Sequence, residues 1–96
     1  MKGKREMNKR DIVTVATVVG EFVGKYLDQD DHSITLDDPR MIVNTPEGMG
    51  FARGICQTGN ENPNEVTLFK TNILFITETN DAVQSSYRQF TSGIIT

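Results

Sequence analysis

From Ile12 to Val19 nearly every residue is β-branched, with Val13, Val15, Thr17 and Val19 on one face of an extended chain and Thr14, Ala16 and Val18 on the other. Branching at Cβ stiffens χ1 and suits a pleated surface, so this run predicts a strand. Gly20 and Glu21 interrupt it, and Phe22-Val23-Gly24-Lys25-Tyr26-Leu27 resumes the extended pattern, which predicts a tight hairpin. Gly24 inside the second strand weakens it unless the chain must bend there, and a small barrel needs such a corner.

After the polar loop Asp28 to Ser33, strict alternation over Ile34-Thr35-Leu36 predicts a third strand. Pro39 has no N–H for a ladder, so it belongs at a bulge or an edge. Arg40 to Val43 then carries the strand to a turn at Thr45-Pro46-Glu47-Gly48. Residues 49–57 are weakly extended, and Thr58 to Glu65, with Gly59, Pro63 and its asparagines, reads as a loop. Val66 to Phe69 and Ile73 to Ile76 form two short strands about the polar turn Lys70-Thr71-Asn72. The second is apolar on both faces, which calls for cover from another subunit. Asn80 or Thr79 can cap a helix from Asp81 to about Phe90, with Val83, Tyr87 and Phe90 on one side. The reading is all-β: five or six short strands closed into a small, strongly bent barrel with short helical or disordered termini. It divides the chain into an N-terminal arm or short helix over 1–11, a barrel over 12–78 with an insertion or long hairpin at 49–65, and a C-terminal helix and tail over 79–96.

Ninety-six residues with 36% hydrophobic content and no Trp make one domain with a modest core, which favours oligomerisation. No apolar run approaches the ~20 residues of a membrane-spanning helix. The N-terminus shows no secretory pattern, and the single Cys56 fits a reducing compartment, so a cytoplasmic protein is expected. Charge is unevenly placed. Lys2, Lys4, Arg5, Lys9 and Arg10 against Glu6 and Asp11 leave residues 1–11 at +3, whereas the rest of the chain carries −6. An acidic body binds nucleic acid poorly by general attraction, so any such binding needs a local site.

The chemistry-bearing residues exclude more than they support. Asp28, Asp30, Asp31, Asp37 and Asp38 invite a calcium loop, but a loop begun at Asp28 places Ser33 where Gly is needed and Pro39 where Glu is needed. Gly48 to Gly54 lacks the glycine spacing and the following helix of a dinucleotide site. One histidine and one cysteine cannot build a zinc site of several His and Cys ligands. Asp31, His32 and Ser33 are sequence neighbours, whereas a catalytic triad converges from separate elements. No catalytic residue, metal or cofactor is expected, and the protein is read as a non-enzyme.

Val13-x-Val15-x-Thr17-x-x-Gly20, then Phe22-x-Gly24-x-Tyr26-Leu27, Asp30-Asp31 and Ile34-x-Leu36 resemble the first signature of the Sm-like (LSm/Hfq) family, over roughly residues 12–38. Val66 to Ile76 stands where the second signature would be, with Lys70-Thr71-Asn72 in place of Arg or Lys followed by Gly. The combination resembles divergent phage-type Sm-like proteins more than eukaryotic spliceosomal members. The resemblance implies a bent five-stranded SH3-like barrel, usually with an N-terminal helix, whose fourth and fifth strands pair between neighbours. It implies a closed ring of about five to seven subunits, since cyclic pairing satisfies exposed edges. It also implies single-stranded RNA bound where the loop between strands two and three meets the loop between strands four and five. Carried over, Asp30 or Asp31 orients the first loop, His32 stacks on a base, and Lys70 with Asn72 closes the pocket. The family's base-contacting Asn falls at Ile34 or Thr35, so Thr35 completes the set. Counting from Gly20 selects Asp31, and counting from Gly24 selects Asp30. His32 is equally readable as a plain loop-tip residue. Two functions follow: a homo-oligomeric ring binding single-stranded RNA as chaperone or scaffold, or a ring-forming protein-interaction module without RNA.

Overall fold

The computed structural model describes residues 7–52, 55, 58–60 and 64–92. Six strands and one helix follow in the order β1 (Ile12–Thr17), β2 (Gly20–Gln29), β3 (Ser33–Thr45), β4 (Gly48–Phe51), β5 (Glu65–Phe69), a 3-10 turn (Lys70–Asn72), β6 (Ile73–Glu78) and α1 (Asp81–Thr91). All ladders are antiparallel, and the long β3 is the hub. Its first half holds β5 on one edge and β2 on the other, and its second half holds β4; beyond β2 lie β1 and then β6. The sheet is open. Among the described residues no ladder joins β5 to β6, although only the three-residue turn separates them in sequence.

The first hairpin turns two residues earlier than Gly20-Glu21 suggests. Val18 and Val19 form the turn, and Gly20 already pairs with Thr17 as the first residue of β2. The Thr17 hydroxyl donates to the Gly20 carbonyl at 2.8 Å and accepts the Val19 amide at 3.2 Å, which closes the turn. Gly20 has φ +142°, where a side chain would be strained. The turn therefore spends its glycine on backbone geometry and leaves Val18 and Val19 exposed to solvent.

Pro39 lies within β3 at a break in the β2–β3 register: Lys25 pairs with Asp37 and Val23 with Arg40, so Asp38 and Pro39 bulge opposite Gly24. Asp38 takes φ +53° there. A Cβ on Gly24 would sit 3.1 Å from the Pro39 Cα and 3.2 Å from the Leu36 Cβ, so the glycine permits a close approach of the two strands.

Alternation sends Val13, Val15, Ile34 and Leu36 to one fully buried cluster, with Tyr26, Leu68, Ile73 and Ile76 packed around it. Removing each such aliphatic side chain from water contributes roughly 1.5–3 kcal/mol. The opposite face of β1 and β2 supplies Ile12 and Val23, which α1 covers with Tyr87 and Val83. Asn80 caps this helix by accepting the Val83 amide at 2.9 Å. The buried Tyr87 hydroxyl donates to the Asp38 carbonyl and so ties α1 to the bulge. Desolvation, and then the Asp38 and Asp37 charges, raise its pKa well above 10.0. Residues 7–11 form a turn, not a helix. The Asn8 amide donates to Asp11 Oδ2, and the Arg10 amide donates to the Tyr26 carbonyl. Residues 1–6 of the basic arm, residues 53, 54, 56, 57 and 61–63 of the 49–65 insertion, and the tail beyond Ser92 lie outside the described residues.

Candidate nucleic-acid interface

The loop between β2 and β3 is built on Asp30. Its Oδ1 accepts the His32 and Ser33 amides, both at 2.8 Å, and the Ser33 hydroxyl at 3.2 Å, while its own amide donates to the Ser33 carbonyl at 2.9 Å. A carboxylate bridging amides two and three residues on is the local turn that aspartate favours. The His32 amide first, and then the Ser33 amide, hold its pKa below the usual 3.8. Asp30 holds the loop in shape, whereas Asp31 is exposed and outside these bonds.

The turn between β5 and β6 is attached to the same loop. The Lys70 amide donates to the His32 carbonyl at 2.8 Å, and the Lys70 ammonium donates to Gln29 Oε1 at 2.8 Å. Asp30, His32 and Lys70, drawn from two loops far apart in sequence, thus form one polar site, with the His32 side chain exposed. Gln29 and Ser33 belong to it as well and were missed by sequence reasoning. An aspartate three residues before a serine was the available signal for Ser33, but nothing local announces Gln29.

Thr35 and Asn72 are placed differently. Thr35 shares a 3.1 Å hydroxyl contact with Thr67 along the β3–β5 ladder. Ile34, the other position weighed for a base-contacting amide, is fully buried in the core. The Asn72 carbonyl accepts the Val18 amide at 3.0 Å, so the far end of the 3-10 turn fastens to the β1–β2 turn. There Asn72 helps to line an apolar cavity of about 230 Å³ with Val18, Val19, Phe22 and Phe69. This end of the molecule is apolar and open: Phe69, Leu74 and Phe75 are 64%, 67% and 57% exposed. Ile73 and Ile76 of β6 pack on the core, whereas Leu74 and Phe75 are left uncovered by the described residues.

The two ends of the 3-10 turn offer different chemistry. At Lys70 there are a cation, an exposed imidazole and a fixed carboxylate, able to meet a base edge or a phosphate. Three exposed aspartates, Asp28, Asp30 and Asp31, counter that cation. Among the described residues, no group of three or more His, Cys, Asp or Glu side chains is placed to hold a metal ion, and no helix is long and apolar enough to cross a membrane. No protein-family model matches this chain, and no curated protein is significantly similar to it.

Proposed function

We propose that this chain assembles into a homo-oligomeric ring of the Sm-like type that binds single-stranded RNA in the cytoplasm, as a chaperone or scaffold and not as an enzyme. The observation that carries this reading is the placement of β5 and β6. They end the sheet on opposite sides, each has one edge without a ladder among the described residues, and they carry the exposed Phe69, Leu74 and Phe75. An edge that is both apolar and unpaired is a template for another chain. Pairing β5 of one copy with β6 of the next would satisfy both edges at once, and repetition around an axis closes a ring. The barrel implied by the resemblance would then be completed across neighbours. The Asp30–His32–Lys70 sites would be repeated once per subunit, each open to an unstacked base.

Light scattering on the purified protein, followed by titration with oligo-U and oligo-A at two salt concentrations, tests both halves. A discrete mass of several chains with saturable binding supports the reading. A monomer at micromolar concentration, or an intact ring that binds neither oligonucleotide at low salt, refutes it. The second reading is a ring acting as a protein-interaction module. The exposed Asp28, Asp30 and Asp31 around a single lysine favour it, because they repel a phosphate backbone.

A further inference from the structure

The body of the chain contains five cations, Lys25, Arg40, Arg53, Lys70 and Arg88. Two of them, Lys25 and Arg88, come together with Arg10 in a cleft of about 340 Å³ between the N-terminal turn, β2 and the end of α1. Among the described residues the rest of the lining is Ile12, Thr91 and Ser92, and none of these is acidic. Three cations sharing one cleft in a protein of net charge −3 are not accounted for by composition. Like charges held together favour an anion between them.

The donors there are largely unspent. The Lys25 ammonium makes no hydrogen bond or ion pair among the described residues. Arg10 gives Nη1 to Asp37 at 3.1 Å, and Arg88 gives Nη2 to Gln84 at 3.1 Å; each guanidinium has further N–H groups. Asp37 lies opposite Lys25 in the β2–β3 register, and Asp11 and Glu78 line the adjoining smaller cavity, so the carboxylates flank the cleft without lining it. The carbonyl end of α1 would repel an anion, but it is partly covered: Thr91 Oγ1 donates to the Tyr87 carbonyl at 2.8 Å and Ser92 Oγ to that of Gln89 at 3.2 Å.

We propose that this cleft is a phosphate-binding site that holds the backbone of a single-stranded nucleic acid without regard to sequence. Two features favour a linear polyanion. Arg10 ends a basic stretch of sequence that also holds Lys2, Lys4, Arg5 and Lys9, so one of the cleft cations is joined in the chain to four more. Among the described residues Ile12 is the only apolar one in the lining and it is buried, so none of them offers an apolar side chain to a lipid surface. The site stands apart from the Asp30–His32–Lys70 loop and does not depend on base reading there.

The test uses full-length protein and a short abasic deoxyribose-phosphate oligomer, which offers phosphates and no bases. Wild type should bind it saturably, with affinity falling as salt rises. The double substitution Lys25→Gln and Arg88→Gln, with its fold checked by circular dichroism, should flatten the log–log salt slope by about 1.4, at about 0.7 per phosphate contact. It should also weaken binding at least tenfold at low salt. Lys25→Glu alone leaves α1 untouched and should weaken binding in the same direction. Inorganic phosphate that competes as well as the oligomer, mole for mole, would reassign the cleft to free phosphate and overturn the proposal. So would absence of abasic binding, or binding that survives both Lys25→Glu and the double substitution but is lost on deleting residues 1–6, which assigns it to the arm alone. Oligo-U binding without abasic binding sinks this site and spares the RNA reading. Abasic binding without any gain from bases does the reverse.

Discussion

Replacing Gly24 by alanine tests the packing that shapes the sheet. The added Cβ would meet the Pro39 Cα at 3.1 Å, the Leu36 Cβ at 3.2 Å and the Leu36 Cδ1 at 3.3 Å. Pro39 is a fully buried part of the backbone, so the nearest contact cannot swing aside as the tip of a flexible side chain would. Overpacking of this kind typically costs about 1–3 kcal/mol. Alanine also restricts the unfolded chain, which returns about 0.4–1 kcal/mol. The net expectation is a destabilisation of about 1–2 kcal/mol, seen as a melting temperature lower by roughly 4–16 °C for a domain of this size. Gly50→Ala is the internal control. A Cβ at Gly50 meets nothing within 4 Å and its φ is not positive, so only the unfolded-state effect remains and stability should hold or rise slightly. Thermal and urea unfolding of the three proteins, compared at one protein concentration because assembly contributes to stability, provides the measurement. If Gly24→Ala melts at or above wild type while Gly50→Ala behaves as expected, the close approach of β2 and β3 at the bulge is not what requires glycine.

Leu74→Asp and Phe75→Asp should yield folded protein of single-chain mass, because both side chains are more than half exposed in one chain and a charge is costly only in a desolvated contact. Light scattering that still reports the parental mass would show that β6 is not the joining edge. His32→Ala should weaken RNA binding by about 1–3 kcal/mol per occupied site with little change in salt dependence, whereas Lys70→Ala should flatten the salt dependence if its ammonium meets phosphate, or lose affinity for one base selectively if it meets a base edge. The raised Tyr87 pKa means that its contribution to stability is complete below the ordinary tyrosine value of 10.0 and declines as pH climbs above it. Tyr87→Phe should be less stable at neutral pH by about 1–3 kcal/mol, from the carbonyl left without its donor, and should lose part of the alkaline slope in urea titrations. Asp30 has the opposite sign: its lowered pKa makes the loop bonds complete above the usual carboxylate range and lost as pH falls through it, so the His32 and Ser33 amide resonances should shift together on acidification, and not in Asp30→Asn.

Much of the strand order was legible because its causes are local. Alternating β-branched residues announce β1, the Ile34–Leu36 run announces β3, and Asn80 ahead of Asp81 announces the start of α1. Pro39 signalled a bulge or an edge because a residue without an N–H cannot continue a ladder, and the register break between β2 and β3 shows that it is a bulge. The turn at Val18-Val19 was misplaced by two residues, onto Gly20-Glu21, since glycine marks where the backbone needs positive φ and here that point is the residue after the turn.

What the tertiary structure alone decided is which segments meet. Lys70 reaches Gln29 across 41 residues, and Arg10, Lys25 and Arg88 converge from a turn, a strand and a helix. Ile34 and Thr35 are adjacent in sequence, yet one is sealed in the core and the other lies on the β3–β5 ladder, a split that alternation foretold without saying which strand would flank it. Nor could periodicity tell that β5 and β6 part to opposite ends of the sheet. Side-chain alternation records the face a residue takes, because neighbouring Cβ atoms must point apart. The partner on the other side of a ladder is chosen by long-range hydrogen bonds and burial, which no stretch of sequence contains by itself.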